Sequence, residues 1–134
     1  MRRLIPASLR QQPLRVYCDE GVAVLDREVF RELRDSLGGQ REALNTIYMK
    51  FIGSASAHLA DLRNQPHAVN AKTLHTLKGS AAMVGANRIV ALAAQLHERA
   101  AELRTADIQA ATRELERELA EFRRVLDAEL HASR

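Results

Sequence analysis

The sequence predicts an all-α fold: an antiparallel up-down four-helix bundle with an additional short N-terminal helix. Three observations predict it. Apolar residues recur three and four apart along each long segment, which is the spacing of one helix face. No segment alternates apolar and polar residues as a half-buried strand does. The breaks between segments are short, at Gly38-Gly39, Asn64-Gln65-Pro66 and Gly85, and short connections favour antiparallel neighbours.

Residues 1–22 read as a tail or linker. Pro6 and Pro13 interrupt them, and Arg2, Arg3, Arg10 and Arg15 make them basic; by composition they form a solvated segment. The bundle is expected over residues 23–131. Asp26 is placed to cap a short first helix, in which Leu25, Val29, Leu33 and Leu37 form one stripe. Gly38-Gly39 ends it, because glycine tolerates the left-handed cap. A second helix is expected from Gln40 to Asn64, with Leu44, Ile47, Phe51, Ala55, Leu59 and Leu62 on one face, widened by Tyr48 and Ile52. Pro66 stops it by pushing the preceding residue away from helical angles.

The third helix, from His67 to Val84, is expected to bury Leu74, Leu77, Ala81 and Val84. Asn87 is the expected cap of the fourth, which runs to Arg104 and buries Ile89, Leu92, Ala93, Leu96, Ala100 and Leu103. The last helix, from Ala106 to Leu130, has the cleanest pattern: Ile108, Leu115, Leu119, Phe122, Leu126 and Leu130. On its outer face Glu114 can pair with Arg117, and Arg117 with Glu121.

Composition narrows the function classes. A length of 134 residues fits one domain with a real core. The net charge of +3 is mild, aromatics are 4% and Trp is absent, so the stacking platforms of a single-strand nucleic-acid binder are missing. The basic N-terminus alone would have to show steeply salt-dependent affinity to suggest otherwise, and no nucleic-acid partner is expected. A single cysteine, Cys18, excludes an internal disulfide framework and fits a reducing compartment. No apolar run approaches the ~20 residues of a membrane span, and no signal-length apolar stretch follows Arg2-Arg3. The expectation is a cytoplasmic chain without direct membrane contact.

The chemistry is concentrated in Leu74-His75-Thr76-Leu77-Lys78-Gly79-Ser80. Lys78 and Gly79 lie three and four residues after His75, so all three share a helix face. Glycine inside a helix costs roughly 1 kcal/mol against alanine, which makes Gly79 a poor choice for helix stability. Leu74 and Leu77 point to the core, and one residue further on lies about 100° round the helix, so His75 points away from it. Ala68, Ala71, Gly79, Ala82 and Ala86 follow the axial line of His75, while Lys72 and Lys78 flank it. Small residues admit another protein's backbone, and lysines balance phosphate charge. With Met83 beside them, these residues form the expected partner surface. A bland reading, an alanine-rich helix with one exposed histidine, fits the alanines, and close helix packing would be its explanation of the glycine.

His97 adds to this face. In a hairpin turning at Gly85-Ala86, His75 lies ten residues before Gly85 and His97 eleven after Ala86, at one height on adjacent helices. A group there can hold the His75 Nδ1 atom and leave Nε2 as the nucleophile. His58, His67 and His131 carry weaker signals. No His-x-x-x-His pair and no Glu-x-x-His pair occurs on one helix, so no resident metal is expected.

The segment from His75 through Lys78-Gly79-Ser80-Ala81-Ala82-Met83-Val84-Gly85 to Ala86 closely resembles the signature of histidine-containing phosphotransfer (HPt) domains. The resemblance extends back through Phe51-Ile52 and Leu59 and forward through Leu92-Ala93 to Leu96. It implies that His75 accepts a phosphoryl group from a receiver-domain aspartate and passes it to a response regulator. It also implies that Lys78 stabilises the group and that Gly79 leaves room for the partner. The family often carries glutamine where His97 stands, so that role does not carry over unchanged. No nucleotide-binding loop is present. The expected molecule is a phosphocarrier, not a kinase, with no intrinsic cofactor and with Mg²⁺ supplied on the partner receiver. Expected partners are a receiver domain and a hybrid sensor histidine kinase, on a separate chain or as the membrane-anchored part of the same polypeptide. The alternative is a degenerate, non-catalytic helical adaptor that binds the same partners.

Overall fold

The computed structural model describes residues 22–64 and 70–132. Five α-helices follow in order: α1 (Arg27–Ser36), α2 (Arg41–Asn64), α3 (Asn70–Val84), α4 (Asn87–Glu98) and α5 (Thr105–Ala132). A 3-10 turn, Ala100–Glu102, precedes α5. No strand occurs among the described residues. α3 packs against α2 and α4, and α5 against the same two, so α2 to α5 close into a four-helix ring. α1 leans on α2 and α3.

The apolar stripes of α2 and α5 supply most of the core. Leu44, Phe51, Ala55, Leu59 and Leu62 face Ile108, Leu115, Phe122, Leu126 and Leu130, all buried. Tyr48 ties three elements together: its ring lies 5.9 Å from Phe30 of α1 and 6.0 Å from Phe122 of α5. Phe30 was not part of the predicted first stripe, yet it is fully buried, while Val29, Leu33 and Leu37 are only half-buried. α1 is a short helix lying on the bundle, so the residue that faces the bundle decides burial and the four-residue stripe does not.

The Tyr48 hydroxyl donates to the Val84 carbonyl at 3.2 Å. Burial, followed by the nearby Asp26 carboxylate, pushes this phenol well above its ordinary value of 10.0. The folded state therefore holds the proton more tightly than the unfolded chain. Stability from this group is complete below about pH 10 and declines as pH rises beyond it. Tyr48→Phe strands the Val84 carbonyl and should cost about 1–2 kcal/mol in denaturant unfolding; it should also remove this group's share of the alkaline decline.

The turns position the helices that matter. Asp26 caps α1 as expected, accepting from the Glu28 and Val29 amides. After α1, Gly38 at φ 66 and Gly39 at φ 76 close the helix, with Gly39 N–H donating to Arg34 O and Gly38 N–H to Asp35 O. The same pair of bonds ends α3, from Ala86 to Ala81 and from Gly85 to Ala82. Gly85 sits at φ 77, and its carbonyl accepts the Asp26 amide at 2.8 Å. The start of α1 is thus clamped onto the α3–α4 turn.

Three expectations need correction. Asn87 does not cap α4: Ala86 is the cap residue and makes no side-chain bond, while Asn87 is the first helical residue and reaches the Asp26 carboxylate. α4 stops at Glu98 and not at Arg104. The Asp107 carboxylate accepts the Arg104 amide, a reach-back that starts α5 at Thr105 and leaves residues 99–104 to the turn between helices. Leu103 is buried even so, but from an extended conformation. On α5, Arg117 pairs with Glu114 as expected, but Glu121 is taken by Arg124. Of the expected tail, residues 1–21 lie outside the described residues.

Candidate functional site

α3 is held by its buried side, where Leu74, Leu77 and Ala81 are inaccessible. The opposite side is in solvent: Ala71, Lys72, His75, Gly79, Ala82 and Met83 are all exposed, and Lys78 is half-exposed. Met83 is exposed to 76% and stands out as the large apolar side chain left in water. Its residue type favours the core, but its place beside the expected partner surface agrees with this exposure. Ala68 lies outside the described residues. Ala86 does not belong to the surface, because it follows the end of α3 and is fully buried under the turn. The helical line drawn through it from His75 ends at Val84.

The His75 ring meets one neighbour. His97, half-buried on α4, places its ring centre 5.6 Å from that of His75, with the planes tilted by 42°. The hairpin turn at Gly85 brings the two imidazoles to one height, as their spacing predicts. The contact is between rings, and no hydrogen bond joins them. Neither Lys72 nor Lys78 forms an ion pair with a described residue, and α3 contains no acidic side chain. The charges on α3 itself are thus both positive, which suits an incoming anion.

Gly79 resolves a choice that the sequence left open. A methyl group added there would meet nothing within 4 Å, so packing within this chain does not require glycine. Gly53 on α2 is equally open and has Lys50 three residues before it, but no histidine lies three or four residues from it. Ser80, next to Gly79, donates its hydroxyl to Leu77 O at 3.2 Å and is directed back to its own helix. His58 rests near the Ser54 hydroxyl, and His131 bonds the Asp127 carbonyl; neither approaches His75. No helix among the described residues is long and apolar enough to cross a membrane.

Chemically, the site offers an accessible ring nitrogen, a second imidazole beside it, two cations and an unfilled patch of helix. Surface hollows among the described residues lie around Arg41 and Asp127 and around Ile52 and Arg63, away from His75. A macromolecular partner fits this exposed surface better than a small molecule. Comparison with curated proteins and with solved structures gave no match. The family model for the Hpt domain matches residues 25–133, which spans every helix described above. The chain belongs to the Hpt domain family, the phosphotransfer modules of two-component phosphorelays, which carry phosphoryl groups and are not kinases.

Proposed function

We propose that this chain is a phosphorelay intermediate in which His75 accepts a phosphoryl group from a receiver-domain aspartate and hands it to a response regulator. The observation that carries this reading is the exposed His75 imidazole beside a glycine with open space above it. The Nε2 lone pair attacks phosphorus, the acyl phosphate P–O bond breaks, and the partner's aspartate leaves as a carboxylate. Lys78 balances charge on the transferring group. His97 is the positioning residue: its ring packs beside that of His75 and limits how the reacting imidazole can turn. The acceptor aspartate and its Mg²⁺ belong to the partner, so this chain contributes half of the reacting centre. Ala71, Lys72, Gly79, Ala82 and Met83 form the landing surface.

Incubation with a phosphorylated receiver domain should place an acid-labile label on the protein. Stable binding to several receivers without any label would instead indicate the non-catalytic adaptor. Gly79→Gln should slow transfer at least ~10-fold by filling the landing surface, while helix propensity raises stability by about 0.5 kcal/mol. Transfer at the parent rate by this variant would remove Gly79 from the interface.

A further inference from the structure

We propose that His75 and His97 together form a two-ligand chelate for a borderline transition-metal dication, with Zn²⁺ as the representative, and that a bound ion and a phosphoryl group exclude one another at His75. The chelate itself rests only on the geometry of the two rings; the exclusion rests on the functional reading above.

A Zn–N bond of about 2.0–2.1 Å, plus about 1.1 Å from nitrogen to ring centre, puts the ion about 3.2 Å from each imidazole centre, so two rings at a tetrahedral angle have centres about 5.2 Å apart. The observed spacing is 5.6 Å, a difference that small side-chain rotations can close. The rings sit on different helices of one hairpin, so the ion would bridge α3 and α4. Imidazole suits zinc, copper and nickel, while Mg²⁺ and Ca²⁺ prefer oxygen donors. Among the described residues no group of three or more His, Cys, Asp or Glu side chains is placed to hold an ion. The remaining coordination positions would therefore stay with water, and the flanking lysines would weaken the site further. A modest, reversible affinity follows, unlike that of a four-ligand structural zinc.

The balance is simple. Each neutral imidazole has one nitrogen lone pair, donates it to the ion and displaces one water, with no change of oxidation state. At His75 the pair committed to the ion is unavailable to attack phosphorus. Glutamine at position 97 would leave His75 as a single ligand, so the chelate depends on the histidine found here.

The test uses the unphosphorylated chain of residues 1–134. Calorimetric titration with Zn²⁺ should show one site, weakened at least tenfold by either His75→Gln or His97→Gln. Added Cu²⁺, a paramagnetic probe, should broaden the ring proton signals of His75 and His97 together, which needs no variant. Lowering pH should weaken binding, because the ligands must be deprotonated. Unchanged affinity in His97→Gln, or broadening confined to one ring, overturns the chelate. In a separate arm, transfer from a phosphorylated receiver is timed with and without Zn²⁺. The with-to-without ratio should fall in the parent chain and stay near one in His97→Gln. A parent ratio near one despite a calorimetric site overturns the exclusion. A site with no phosphoryl acceptance at all leaves the chelate standing and removes the relay function.

Discussion

His75→Gln should remove phosphoryl acceptance while leaving the bundle folded. The imidazole is exposed and makes no hydrogen bond that the fold needs, so unfolding free energy should change by no more than about 0.5 kcal/mol. Transfer should fall by at least roughly a thousandfold, about 4 kcal/mol of barrier, because glutamine's amide nitrogen has no available lone pair. Receiver binding should persist, since the landing surface around the ring is unchanged. The measurement is the rate of label transfer from a phosphorylated receiver, read beside circular dichroism and a binding isotherm. Full-rate labelling of the variant would place the phosphoryl group elsewhere and end the assignment.

Gly85→Ala should destabilise the bundle strongly. At φ 77 an L-residue is strained by about 1–2 kcal/mol. The added methyl would stand 3.0 Å from the Asp26 Cβ, 3.1 Å from the Val29 Cβ and 3.2 Å from the Asp26 carbonyl oxygen. These contacts are with the body of α1 and its cap, not with the tip of a flexible side chain, so relief requires moving the helix. With overpacking of about 1–3 kcal/mol added, the expected cost is about 2–5 kcal/mol, measured as a shift in the denaturant midpoint. Gly79→Ala is the control. It adds the same methyl group in open space and should stabilise by up to about 1 kcal/mol. Equal effects at the two positions would mean that the clamp on the turn is not what holds glycine at 85.

The two glycines also show where sequence reading succeeds and where it stops. Helix period placed the buried faces of α2 and α5 almost residue by residue, because those stripes are long and their packing partners are long helices. It placed His75 outward for the same reason, since Leu74 and Leu77 fix the rotation of α3. The spacing of His75 and His97 about Gly85 foretold their meeting, because a hairpin couples position in the chain to height. What stayed hidden depends on tertiary approach. Nothing local distinguishes the open space above Gly79 from the crowded space around Gly85. Phe30 is buried because α1 happens to lie across Tyr48, and Ala86 is lost from the surface because the helix ends two residues before it. The early stop of α4 follows from Asp107 reaching back to Arg104, a bond between side chain and backbone that hydrophobic period does not register.

Among the described residues, His75 stands exposed to solvent with no loop folded over it. A phosphoryl group lodged there would find no shelter from hydrolysis, and its message would be perishable. It would reach the next receiver promptly or dissolve into inorganic phosphate, and the bundle would keep no memory of a stimulus that had ceased.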